Sequence, residues 1–199
     1  MPMSARTRRL ALPVAAFLFG LVTLATTTIL VLAPAGDEAT APSSVGGPFR
    51  LVGHDGKERT EEDFAGAPFL VFFGFTHCPD ICPTKLFEIS QILDALGKDR
   101  KAGALFVSVD PERDTPEVLK SYLSSFDPRI IGLTGSPEQV QATVRAYRAY
   151  AKKVPLKDGD YTMDHTAIVY LMDKRGAFVG SFNVSRPPEE AAKDLARRI

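Results

Sequence analysis

Apolar and polar positions fall into blocks whose period changes along the chain. The first is Leu10 to Leu32, a mostly apolar run with no charged side chain between Arg9 and Asp37. At about 1.5 Å of rise per residue it spans roughly the 30 Å hydrocarbon core of a bilayer, which predicts a transmembrane anchor over residues 10–33. Arg6, Arg8 and Arg9 precede the run, and Asp37 and Glu38 come after it. The positive-inside rule then assigns residues 1–9 to the cytoplasm and the rest of the chain to the far side. Ala33-Pro34-Ala35 also offers the small-residue spacing of signal cleavage. The run exceeds the usual signal-peptide length, so a retained anchor is expected, and either reading exports the remainder of the chain. Residues 34–45 lie in a stretch rich in Pro, Gly, Ala, Ser and Thr that cannot bury enough apolar surface to order itself. They read as a flexible tether.

From residue 46 onward strand and helix patterns alternate. A small hairpin is expected around His54-Asp55-Gly56. Phe69 to Phe75 is continuously apolar and aromatic, as suits a central strand buried on both faces. Leu86, Ile89, Leu93 and Leu96 then recur at helical spacing up to Gly97. Leu105 to Val109 and Ile130 to Leu133 read as further strands. Thr115-Pro116 and Ser136-Pro137 each place a capping residue before a first-turn proline, starting helices that carry Leu119, Leu123 and Phe126, and Val140, Val144 and Tyr147. Thr166 to Met172 and Phe178 to Phe182 flank the turn Asp173-Lys174-Arg175-Gly176, which predicts an antiparallel pair. A last helix begins near Pro187. This order predicts an α/β domain over residues 46–199, with a mixed sheet flanked by helices.

Composition narrows the function. With 45% hydrophobic residues the chain can bury a core, and its 24 Lys and Arg balance its 24 Asp and Glu. No net basic field exists to gather a phosphate backbone, so no nucleic-acid partner is expected. Two cysteines, Cys78 and Cys82, exclude a scaffold of several disulfides.

The two cysteines sit where the first buried strand gives way to a helix. If Cys82 lies in the first helical turn, Cys78 is about one turn upstream, and both sulfurs can face one ion or each other. Helix amides favour thiolate there, and Pro79 and Pro83 stiffen the segment. Two thiolates suit copper(I), zinc or an iron–sulfur cluster, but a lone pair falls short of the four ligands of a cluster or a closed zinc site. A third ligand is needed, and three histidines compete. His54 reads as a solvated turn residue. His77 adjoins Cys78, so on an extended segment it points to the opposite face. His165 precedes a strand, from where a loop can return to the helix start.

Phe73-Gly74-Phe75-Thr76-His77-Cys78-Pro79-Asp80-Ile81-Cys82-Pro83 closely resembles the FGxTxCPDxCP segment of Sco/SenC proteins, copper chaperones of cytochrome oxidase assembly. Val107 to Thr115 (VSVDPERDT) resembles the family's second signature, and Met163-Asp164-His165-Thr166 its third. The similarity runs from Gly46 to the C-terminus. It implies a thioredoxin-like fold behind one N-terminal membrane anchor, with copper held by Cys78, Cys82 and His165. It also implies a partner: the copper-bearing subunit of a cytochrome c oxidase, or another periplasmic copper chaperone. The expected location is a bacterial inner membrane with the domain in the periplasm. A mitochondrial inner membrane is the weaker match, since no long Arg- and Ser-rich transit segment precedes the apolar run.

Two thiolates and an imidazole give copper(I) three ligands, and copper(II) would want a further oxygen donor. Asp110, Asp80 and Asp164 are candidate supporting carboxylates: Asp110 at a strand end, Asp80 through the pair's electrostatics or the helix dipole, Asp164 by orienting the imidazole. The competing function is a thiol–disulfide oxidoreductase with Cys78 and Cys82 as its redox pair. Three intervening residues, rather than the two of thioredoxin motifs, favour a chelate. Peroxide reduction would need a placed arginine that no motif supplies. A purely structural disulfide would close too small a loop to add much stability.

Overall fold

The computed structural model describes residues 18–24, 26, 28, 45–157 and 159–198. The chain divides into residues 1–41 and residues 42–199. In the first unit the described residues are helical, and Thr23, Thr26 and Thr28 return their hydroxyls to carbonyls one turn back. The rest of the expected anchor, and residues 34–44 of the expected tether, lie outside the described residues, while Val45, the last residue of that tether, packs against the core. Among the described residues no helix is long and apolar enough to cross a membrane.

The second unit is built on β3 (Phe69–Gly74), buried at every position. Its uninterrupted apolar sequence suits only a strand covered on both faces, and it lies inside a seven-stranded sheet. The other strands of that sheet are β1 (Arg50–Gly53), β2 (Glu58–Thr60), β4 (Gly103–Ser108), β5 (Ile130–Thr134), β8 (Val169–Met172) and β9 (Phe178–Ser181), in the order β2-β1-β5-β4-β3-β8-β9. β3, β4 and β5 run parallel, while β1 and β8 join them antiparallel. The crossovers are α1 (Ile81–Leu96) and α2 (Pro116–Leu123); α3 (Pro137–Ala146), α4 (Pro188–Ala196) and a short 3-10 helix at Glu61–Phe64 are the other helices described in this unit. This is the thioredoxin-like plan that the sequence resemblance implies.

The helix starts form as the sequence dictates. Thr115 accepts from the Val118 amide, and Ser136 accepts from the Gln139 amide while the Gln139 side chain accepts from the Ser136 amide. Gly97, at φ +89°, ends α1.

Three expectations need correction. The strand expected from Thr166 starts at Val169, and its partner ends at Ser181. Second, β6 (Ala151–Pro155) and β7 (Tyr161–His165) form an antiparallel hairpin of their own where no strand was expected. Adjacent Lys152 and Lys153 and the terminal Pro155 spoil the alternation on which a strand assignment rests. Third, His54 lies in the expected turn but is half-buried and bonded rather than solvated. Its Nδ1 accepts from the Gly132 amide at 2.9 Å and its own amide donates to the Gly132 carbonyl at 2.8 Å, stitching β1 to β5.

The unit has two poles. The chain enters at Gly46, whose amide donates to the carbonyl of Ala146 at the C-terminal end of α3. Gly46 adopts φ +90°, and a Cβ there would meet Met172, the residue paired with the first residue of β3. The carboxyl ends of β3 and β4 lie at the opposite pole, the end of an open α/β sheet where ligands are bound.

Candidate metal centre

β3 stops at Gly74, residues 75–80 turn, and α1 begins at Ile81. Cys82 is fully buried in the first helical turn, and Cys78 is half-buried one turn upstream. The Cys82 amide donates to Cys78 Sγ at 3.3 Å, so a free N–H of the helix start faces that sulfur. Burial pushes the Cys82 thiol well above its usual range and the hydrogen bond with Cys78 adds to this, while the Phe75 amide works in the opposite sense.

Gly74 makes this packing possible. A Cβ there would stand 2.9 Å from Cys82 Sγ and 2.6 Å from Phe106 Cε2. We expect Gly74→Ala to cost about 1–3 kcal/mol of folding stability by overpacking, read from denaturant midpoints. Stability unchanged within error would show that the sulfur and the ring yield freely.

His165 is the last residue of β7, opposite Ala151. Its Nδ1 lies 3.1 Å from the Thr166 carbonyl oxygen. A carbonyl only accepts, so this contact selects the tautomer of the neutral ring that has its proton on Nδ1 and a lone pair on Nε2. Nε2 lies 3.7 Å from Cys82 Sγ. Phe75 and Phe72 hold the ring edgewise, with centroids 5.6 and 6.4 Å away. One ligand atom each from Cys78, Cys82 and His165 lie within 4.8 Å of one another. A trigonal site with bonds of about 2.0 Å to nitrogen and about 2.3 Å to sulfur has edges of about 3.7–4.0 Å. Small shifts therefore suffice to close the three donors on one ion, and the donor set is soft.

The other candidates are placed elsewhere. His77 is exposed, its Nδ1 3.2 Å from the Thr76 hydroxyl. Asp80 is exposed at the residue before α1, and its side chain makes no capping hydrogen bond. Asp164 is exposed and points to the opposite face of β7 from His165. The Thr166 carbonyl, not Asp164, orients the imidazole. Asp110 is buried, with one oxygen accepting from the Tyr161 hydroxyl at 2.8 Å and the other from Arg113 Nε. Its carboxylate is thereby committed to a neighbouring network.

Sequence reasoning missed Asp114, which has no exposed surface. Its carboxylate accepts from the Thr76 hydroxyl at 2.6 Å, the Thr76 amide at 3.1 Å and the Ser108 hydroxyl at 2.6 Å. It thus ties the segment before Cys78 to the end of β4. In the sequence it stands before Thr115-Pro116 and passes for part of a helix start. Its partner at position 76 is too distant along the chain to reveal it.

A family profile described as SCO1/SenC matches residues 37–199. Among curated proteins, the human protein described as "Protein SCO1 homolog, mitochondrial" is 41% identical over 159 residues, covering 78% of this chain and 53% of that protein. The chain spans about half the length of the curated relatives it matches. Among solved structures, Bradyrhizobium japonicum ScoI with copper bound is 60% identical, with a TM-score of 0.76 and coverage of 78% of this chain and 99% of that one. BsSco, described as a member of the Sco family of cytochrome c oxidase assembly proteins with a disulfide switch, is 25% identical, with a TM-score of 0.63 and coverage of 79% and 95%.

Proposed function

Because the chain belongs to the SCO1/SenC family, we propose that it is a membrane-tethered copper carrier that holds copper through Cys78, Cys82 and His165 and serves the assembly of a cytochrome c oxidase copper site. The observation that carries this reading is the convergence of two sulfurs from one helix start with an imidazole from a separate hairpin. Copper is the cargo here. Two thiolates and a neutral imidazole match copper(I) in softness and number, and leave room for a further donor on copper(II). The presence of copper in the 60% identical ScoI structure agrees.

The anchor and its orientation belong to the same proposal. The apolar run and the arginines before it favour an inner membrane with the domain on the periplasmic side. Ile81, next to Cys82, and Ile168, three residues after His165, are each 50% exposed. Apolar surface of this kind suits a partner that covers the site during transfer. The partner is an oxidase copper-bearing subunit or another periplasmic copper chaperone.

A second reading rests on a different observation: both cysteines are thiols, one half-exposed, with an amide of the second cysteine on the sulfur of the first. Such a pair can reduce a partner's disulfide and become oxidised in turn, in line with the disulfide switch of BsSco. Offering an oxidase copper-site domain in its copper-free form, reduced or oxidised, separates the two. Copper transfer marks a carrier, and disulfide reduction without copper marks a reductase.

The direct test titrates residues 42–199, reduced, with copper(I) against a competing chelator. We expect one copper per domain. His165→Ala should lose more than the about 10–100-fold that removal of an outer partner of a metal ligand costs. Equal affinity in both proteins removes His165 from the site.

A further inference from the structure

The hairpin that delivers His165 makes no ladder hydrogen bond to the seven-stranded sheet, so something else must fix its position. Along β7, Tyr161, Met163 and His165 share one face. Met163 packs against the core, and Tyr161 is gripped at the far end. Its hydroxyl donates to Asp110 Oδ1 at 2.8 Å. The Arg113 guanidinium carbon and the Lys153 Nζ each stand 3.7 Å from its ring centroid. Arg113 also donates to the Tyr161 carbonyl at 3.0 Å, and Lys153 bonds Glu112 at 2.7 Å.

The anchor for this grip is rigid. Asp110 is 2% exposed and comes two residues after the end of β4. Its amide receives the Ser108 hydroxyl oxygen as acceptor at 3.0 Å, and its carbonyl accepts from the Asp114 amide at 2.9 Å. Burial, then the bond to Asp110, pushes the Tyr161 phenol up to about 12, so it remains a donor at neutral pH. Of these charges Asp110 and Arg113 are the two held largely out of water, and such a pair can serve to fix one arrangement.

We propose that Tyr161, held by Asp110 and Arg113, is a positioning residue that acts through His165, seating the imidazole over the two thiols. The grip and the ligand are four residues apart on one strand, about 13 Å. A hairpin loosened at Tyr161 is free to shift at its other end, and a shift of an ångström or so there breaks the three-donor geometry. This inference rests on the copper reading above.

The test uses the full chain in detergent. Tyr161→Phe keeps the ring between its two cations and removes only the hydroxyl. Its copper(I) affinity, measured by chelator competition, should fall about tenfold, the effect typical of an outer partner of a metal ligand. In a His165→Ala background the same change should alter affinity less than about twofold, because the residue it acts through is gone. In copper-free protein, amide exchange should quicken across residues 151–155 and 161–165 while β3 and β4 keep their protection. An unchanged affinity, or an equal loss in both backgrounds, would overturn the proposal. Should the unsubstituted chain bind no copper, the carrier reading fails, and the exchange data alone decide whether Tyr161 holds the hairpin: unchanged exchange overturns that too.

Discussion

Replacing Cys82 by serine lowers copper(I) affinity by on the order of a thousandfold or more, the largest effect expected of any single substitution in this domain. A neutral hydroxyl is a hard, weak donor where a soft thiolate stood. The sulfur also stands 3.7 Å from His165 Nε2, so its loss removes one of three converging donors. Folding should suffer far less. Serine is smaller than cysteine, and its hydroxyl would occupy a fully buried position, a penalty of about 1–3 kcal/mol unless it finds the bond that the Phe75 amide offers. Chelator competition beside a thermal melt separates the two effects. A variant that keeps its copper and loses only stability would remove Cys82 from the ligand set.

The same residue sets a pH dependence. Burial pushes the Cys82 thiol above its ordinary value, so at neutral pH copper must displace a proton from it. Binding that releases one proton strengthens about tenfold for each unit of pH rise below that group's pKa. Apparent affinity therefore climbs with pH, and Cys82→Ser should flatten the slope by one proton. A slope identical in both proteins would mean that Cys82 does not give up its proton to the metal.

Strands and helices whose period matched their burial were legible. β3 reads as buried because every position is apolar, and α2 and α3 announce themselves through Thr115-Pro116 and Ser136-Pro137. The cysteine pair was legible for the same reason, since its spacing fits one helix start. What escaped was structure held by distant side chains. Besides the core contacts of Ala151 and Met163, the β6–β7 hairpin leans on Asp110 and Arg113 through Tyr161. Its sequence lacks the alternation that betrays a strand. The mistaken roles for His54 and Asp164 share this cause. His54 is bound by a glycine amide on β5, and His165 is oriented by a backbone carbonyl, and backbone partners leave no mark in a residue pattern.

Asp114→Ala is expected to be the most destabilising substitution outside the apolar core, at about 3–5 kcal/mol. The carboxylate accepts three hydrogen bonds, from the amide and hydroxyl of Thr76 and the hydroxyl of Ser108. Ser108 and Asp114 are both fully buried, so water does not replace the lost acceptor without rearrangement. Each donor left unpaired in such a place costs about 1–3 kcal/mol. In a domain of this size a loss of that scale lowers the melting temperature by roughly 6–20 °C. Asp114→Asn keeps the volume and one acceptor oxygen but turns an N–H₂ toward a donor, so it should fall between wild type and alanine. The consequence reaches the metal. Thr76 lies two residues before Cys78, and with its amide and hydroxyl released, the turn that aims the Cys78 sulfur loses its fixed point. Copper affinity measured well below the new melting temperature should therefore drop in Asp114→Asn even where the domain remains folded. A melting temperature for Asp114→Ala within about 2 °C of wild type would mean that the three donors find other partners, and that the carboxylate does not hold the loop.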